Sequence, residues 1–132
     1  MSDGKRSCVL LADRHHGLSD GIRGLLETVF EAVFMVADGT SLMEGARWLR
    51  PAVIVVDLAF AEGDIDRLLR EVAECAPDSR VILLSVHDEP TVSAAAWRAG
   101  ADAMVLKRSI ATELLPAVDS LLRGRRYLGR SS

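Results

Sequence analysis

Val53-Ile54-Val55-Val56 is an unbroken apolar run, three of its four residues valine, that follows Pro51-Ala52 and runs straight into Asp57-Leu58. A strand with one wet face alternates apolar and polar residues. A β-branched run without alternation reads as a strand buried on both faces, inside a parallel sheet covered by helices. Such a sheet meets water only at its ends, and ligands collect outside the carboxyl ends of the strands. Asp57 stands at such an end. It is a candidate functional residue, with turn capping as the plainer alternative.

Four further runs share the pattern. Cys8-Val9-Leu10-Leu11-Ala12 ends at Asp13, and Val33-Phe34-Met35-Val36-Ala37 ends at Asp38-Gly39. Val81-Ile82-Leu83-Leu84 leads to Ser85, and Ala103-Met104-Val105-Leu106 delivers Lys107. Between them, apolar residues recur at helical spacing: Leu18, Ile22, Leu25, Leu26 and Val29; Ile65, Leu68, Leu69, Val72 and Ala73; Leu114, Leu115, Val118, Leu121 and Leu122. Ser41-Leu42-Met43-Glu44 has capping-box spacing and predicts a helix starting there and stopping before Pro51. Pro90 suits a first helical turn capped by Asp88 or Glu89, and Gly100 suits its end. Pro116 is expected to kink or shorten the last helix.

Strict alternation of strand and helix implies an α/β chain with a parallel sheet, right-handed crossovers and helices on both faces. At 132 residues there is room for one domain. No apolar run approaches the roughly 18 residues of a membrane helix, and no cleavable signal follows Met1, so the expected compartment is the cytoplasm. The net charge of −3 gives no basic field for direct nucleic-acid binding. Cys8 and Cys75 lie in apolar stretches without metal-site spacing and are expected to be buried, reduced thiols.

Parallel strands bring Asp13, Asp38, Asp57, Ser85 and Lys107 to one rim. A carboxylate can accept a phosphoryl group, while an ammonium and a hydroxyl bind its oxygens. The ordered set at successive strand ends is far more specific than any one member.

With these residues in place, the chain resembles a response regulator receiver domain along nearly its whole length. Leu11-Ala12-Asp13-Arg14-His15 resembles the acidic motif after the first strand, and Pro51 to Leu58 resembles the phosphoacceptor strand. Leu84-Ser85 is similar to the hydroxyl switch position, and Ala99-Gly100-Ala101-Asp102 through Lys107 to the strand carrying the family lysine. Ala99 to Asp102, with Gly124-Arg125-Arg126-Tyr127-Leu128, is most like receivers that precede a LuxR-type helix-turn-helix domain. The resemblance implies a flavodoxin-like (CheY-like) five-stranded fold and a two-component phosphorelay role tied to transcription regulation. It implies Asp57 as the acceptor, Ser85 and Lys107 as its helpers, and Mg²⁺ on Asp13 and Asp57. It implies a histidine kinase or phosphotransfer protein as donor, and a C-terminal DNA-binding output domain if the chain is a fragment. One receiver over 1–132 is expected, with 124–132 a basic tail or the start of a linker, and a monomer or weak dimer in solution.

The sequence also departs from the family. Where receivers carry two adjacent acids, only Asp13 is acidic and Arg14 follows it. Phe60-Ala61 replaces a Met-Pro pair, Met104 occupies the aromatic switch position, and Arg108 follows the lysine. Mg²⁺ binds through one or two carboxylates plus phosphate, so the metal site is expected to be weakened. Two placements of Arg14 are open: a fork paired with Asp57, or a side chain turned outward. Met104 and Arg14, the latter above all if it points inward, favour the alternative function, a pseudo-receiver working as a phosphorylation-independent interaction module. A phosphohydrolase is disfavoured, because Ala59 stands where its general acid belongs, and a nucleotide binder lacks a glycine-rich loop after the first strand. His15-His16 reads as loop and helix start, Trp48 and Trp97 as packing residues, and Arg123, Arg125, Arg126 and Arg130 as a solvated basic tail.

Overall fold

The structure is a computed structural model describing residues 6–14 and 16–127, so His15, Leu128 and Arg130 lie outside it. Five strands and five helices alternate: β1 (Arg6–Ala12), α1 (His16–Leu26), β2 (Phe30–Val36), α2 (Gly39–Leu49), β3 (Val53–Asp57), α3 (Ile65–Cys75), β4 (Arg80–Ser85), α4 (Pro90–Ala99), β5 (Ala103–Leu106) and α5 (Ile110–Leu122). The strands form one parallel sheet in the order β2-β1-β3-β4-β5.

Val53, Ile54, Val55 and Val56 are all fully buried because β3 is sandwiched between two cores. Val9, Leu11, Val53, Val55, Ile82 and Leu84 face α1 and α5, packing on Ile22, Leu26, Leu114, Val118 and Leu121. The intervening Leu10, Ala12, Ile54, Val56, Val81 and Leu83 face the other way, onto Leu42, Ala46, Leu68, Leu69, Val72 and Ala96 of α2, α3 and α4. The side-chain period of two thus divides one apolar run between two layers. Truncating Ile54 or Leu83 to alanine would open a cavity costing about 2–5 kcal/mol.

The helix ends show what local chemistry decides. α2 starts at Gly39 rather than Ser41, because Asp38 is its cap and accepts the Ser41 amide at 2.8 Å. The capping-box spacing was therefore two residues late: a carboxylate stood nearer the strand end. β2 begins at Phe30, three residues before the apolar run, since Arg6 pairs with Phe30 along β1. α4 has Pro90 in its first turn after Glu89 and ends at Gly100 with φ 105°. α5 continues through Pro116 to Leu122. Trp48 does not pack: it is 80% exposed on α2, while Ala46 and Leu42 take the core positions. Cys8 is buried, which pushes its thiol pKa up, and Cys75 is half-buried.

Candidate phosphoacceptor site

Three strand ends deliver the site. Asp13 follows β1, Asp57 closes β3, and Lys107 follows β5. β1 and β3 are neighbours, whereas Lys107 reaches β3 from beyond β4, and its long stem spans that gap. Lys107 Nζ lies 2.7 Å from Asp57 Oδ2 and 3.9 Å from Asp13 Oδ2. The side chains of Asp13, Asp57 and Lys107 are 0%, 7% and 11% exposed, so bulk water screens little of this triad.

Both oxygens of Asp57 are engaged. Its Oδ1 accepts the Ala59 amide at 3.0 Å, capping a 3₁₀ turn over Leu58–Ala61, while Oδ2 takes the lysine. The turn closes at Glu62, held left-handed at φ 50° and followed by Gly63 at φ 87°. Capping and function are therefore compatible readings of one carboxylate. The cap fixes the rotamer that aims the second oxygen.

Ser85 is buried at the same rim but is not directed at Asp57. Its hydroxyl accepts the His87 amide at 2.8 Å and donates to the His87 carbonyl at 3.1 Å. Beside Asp57 opens a cleft of about 330 Å³ walled by Ala59, Ala61, Gly63, Val86, His87 and Val92. Asp38 is occupied with α2: the Ser41 bonds hold its carboxyl below the usual carboxylate range, with Arg14 adding to the effect.

Arg14 takes the outward placement. Its Nε donates to the Ala37 carbonyl at 3.2 Å, and its guanidinium lies 4.7 Å from the centre of the Phe60 ring. Phe60, standing where receivers carry methionine, supplies the aromatic face that holds it. Arg108 also turns away, to Asp88 at 2.9 Å, and holds the Asp88 carboxyl below its usual range.

Asp13 and Asp57 both sit within 4 Å of one ammonium, so a small hard cation sharing that space would find two carboxylates. Among the described residues no group of three or more His, Cys, Asp or Glu is placed to hold a metal. The donor set fits Mg²⁺ completed by phosphate and water rather than an all-protein cage.

A buried acid–acid–lysine triad on a 2-1-3-4-5 parallel sheet narrows the field, and residues 9–119 match the family of the response regulator receiver domain. The chain belongs to that family. Over 123 residues this receiver is 31% identical to the response regulator UvrY of Escherichia coli strain K12, a match covering 91% of the chain and 56% of UvrY. It is 27% identical to the transcriptional regulatory protein DegU of Brevibacillus brevis, over 91% of the chain and 52% of DegU. The chain thus spans about half the length of the curated relatives it matches. Among solved structures, a LuxR-family two-component response regulator from Aurantimonas sp. SI85-9A1 superposes with a TM-score of 0.83 at 25% identity, covering 94% of this chain and 90% of that one. The non-phosphorylated receiver domain of the stress response regulator RcsB from Escherichia coli gives a TM-score of 0.80 at 26% identity, covering 96% and 100%. The receiver is of the LuxR type, a signalling module of two-component systems. No helix among the described residues is long and apolar enough to cross a membrane.

Arg126 is not solvated tail: it donates to the Trp97 carbonyl at 2.8 Å and the Ala101 carbonyl at 2.7 Å. The signal was present in Gly124 followed by two arginines and a tyrosine, where a helix stop precedes residues able to cap a neighbouring helix.

Proposed function

We propose that Asp57 is the phosphoacceptor of this receiver, with Lys107 and Ser85 as ligands of the phosphoryl oxygens and Asp13 and Asp57 as the carboxylates of a Mg²⁺ site. The observation that carries the reading is the 2.7 Å contact between Lys107 Nζ and Asp57 Oδ2. An ammonium in that place neutralises charge on an incoming phosphoryl group and later binds one of its oxygens. The Asp57 carboxylate forms the new P–O bond as the bond to the donor's nitrogen or oxygen breaks, and the leaving group departs with that electron pair. Ser85 contributes after transfer, by turning its hydroxyl from His87 to a phosphoryl oxygen. Asp13 and Asp57 would hold Mg²⁺, which would supply charge neutralisation on the transferring group. The donor is a histidine kinase or phosphotransfer protein. The output, in a longer regulator, is a DNA-binding domain.

The outward course of Arg14 supports this reading over a phosphorylation-independent module, because its charge is spent on Ala37 and Phe60. The test is intact-mass measurement after incubation with acetyl phosphate. One phosphoryl addition is expected, dependent on Mg²⁺ and abolished by Asp57→Asn. Labelling that survives Asp57→Asn, or none in the wild type at millimolar Mg²⁺, would refute the assignment.

A further inference from the structure

β2 lies at one margin of the sheet, and among the described residues nothing bridges its outer side. The other margin is met at the start of β5, where Tyr127 forms a parallel bridge with Ala103. Native edge strands are blunted by proline, lysine, a bulge or shortness. β2 has seven residues, no proline or lysine, a single charge at Glu31, and an even register with β1 from Cys8↔Ala32 to Ala12↔Val36. Its backbone shows which residues are left to pair. The Asp13 amide donates to the Val36 carbonyl at 3.2 Å, so Val36 turns its backbone groups to β1. That direction alternates along a strand: Phe34 and Ala32 follow Val36, while Met35, Val33 and Glu31 turn theirs outward.

An antiparallel partner must set outward residues opposite outward residues. A second β2, centred on Val33, does so throughout: Val33 opposes Val33, and Glu31 opposes Met35 on both sides of the axis. About six backbone hydrogen bonds form, and a slip of two residues leaves Met35 or Glu31 without a strand partner. The same register matches side chains on both faces. On the α1 face, Arg23 Nη1 lies 3.9 Å from Met35 Sδ, so Glu31 of the second copy arrives beside that guanidinium. On the α2 face, Ala32 opposes Phe34 of the second copy. With Leu42 and Ala46 on the sheet and Arg47 turned to α3, its Nη2 3.3 Å from Cys75 Sγ, Trp48 falls on the side of α2 toward β2. The Cys8 thiol, 3.8 Å from the Leu49 carbonyl, sets that end of α2 level with Ala32, its strand partner. Trp48 therefore stands where Phe34 of the second copy arrives. Phe34, Met35 and Trp48 are three of the four exposed large apolar side chains among the described residues, and the fourth, Val86, walls the cleft beside Asp57. We propose that this receiver pairs with a second copy of itself through β2, antiparallel about a two-fold axis at Val33, joining two sheets into one. Arg23–Glu31 ion pairs on one face and Phe34–Trp48 contacts on the other fix the register. The Asp57 rims of the pair point in opposite directions, so both stay open. One strand and a few side chains make a small interface, and the pair is reversible.

Sedimentation velocity on the full chain from about 10 µM to about 1 mM reads the association, and amide hydrogen exchange over the same range reads its place. The average mass should rise with concentration toward twice that of the monomer. Exchange at Glu31, Val33 and Met35 should slow at least about threefold, while Ala32 and Phe34, already bonded to β1, stay as they are. Glu31→Lys sets two cations together at each end of the pair and should weaken association at least about tenfold; adding Arg23→Glu should bring it back to within about threefold of wild type. Trp48→Ala, at an exposed position, should weaken it several-fold. Unchanged exchange at Leu10 and Leu11 certifies the fold of each variant. A monomer mass over the whole range overturns the pair. Association that Glu31→Lys leaves unchanged, or that Arg23→Glu fails to restore, also overturns it, because the contact then lies on another face. Protection at Glu31, Val33 and Met35 that does not depend on concentration overturns it too, since a segment of the same chain then covers the strand.

Discussion

Replacing Lys107 with methionine removes an ammonium from between two buried carboxylates while nearly preserving side-chain volume. At 2.7 Å, and with an effective dielectric constant of about 20, the Asp57 attraction alone is about 6 kcal/mol before desolvation is subtracted. Desolvation of three buried groups offsets much of it, and breaking buried pairs costs about 3–5 kcal/mol. We therefore expect Lys107→Met to destabilise the fold by about 3–5 kcal/mol at neutral pH. Asp57→Asn should cost much less, because Asp13 still faces the lysine at 3.9 Å. Adding Asp57→Asn to Lys107→Met should recover about 1–3 kcal/mol, since it removes one of two neighbouring carboxylates that have both lost the lysine. Millimolar Mg²⁺ should partly rescue Lys107→Met by taking the vacated place, and should do less for the double variant. Urea unfolding followed by circular dichroism, with slopes compared across the four proteins, gives each term. Additivity of the two substitutions within about 0.5 kcal/mol would refute the triad as an electrostatic unit.

Four further outcomes follow from individual contacts. Arg14→Asp adds an oxygen ligand beside Asp13 and should raise Mg²⁺ affinity about tenfold, read by calorimetric titration; unchanged affinity would mean position 14 does not face the metal space. Gly21→Ala on the open side of α1 should stabilise by about 0.5–1 kcal/mol in urea melts, as the new methyl meets nothing within 4 Å. Gly45→Ala should gain less or lose, because its methyl would stand 3.1 Å from Leu10 Cδ2. Asp38 has a lowered folded-state pKa, so its stabilisation of α2 is present above the ordinary value of 3.8 and fades as pH falls through the folded value. The stability gap between wild type and Asp38→Ala should therefore be full at neutral pH and close in acid; a gap that persists unchanged in acid would assign it to helix packing rather than the charge.

The sheet and its rim were legible because parallel strands buried on both faces leave no room for polar residues except at their ends. Asp13, Asp57 and Lys107 stand out for that reason; periodicity located α1, α3 and α5, while capping and stop residues located α2 and α4. What stayed hidden depends on contacts distant in sequence. Arg14 settles on Phe60 and the Ala37 carbonyl, 23 residues away, and neither partner is marked locally. Ser85 is legible as a hydroxyl at a strand end, but its bond to His87 follows from a loop conformation. Arg126 reads as a tail charge until Gly124 turns it back onto a helix 29 residues earlier. Trp48 misled because a large aromatic suggests a core, whereas the stripe of α2 is filled by small and medium residues.

The two outer edges of the sheet are finished unequally. β5 is met at its start by Tyr127, while β2 forms the opposite margin with Phe34 and Met35 41% and 37% exposed. Unpaired strand margins are templates for self-association. A particle with one open margin can join a second copy there and then stop, because the pair it makes has no further sticky side. A particle with two can polymerise. Losing the Tyr127 bridge would thus uncover the start of β5 as well and enlarge the strand margin open to self-association at high concentration. Light scattering on concentrated Arg126→Ala, with Phe34→Lys added to close the other margin, would show it as growth in one variant and its arrest in the other.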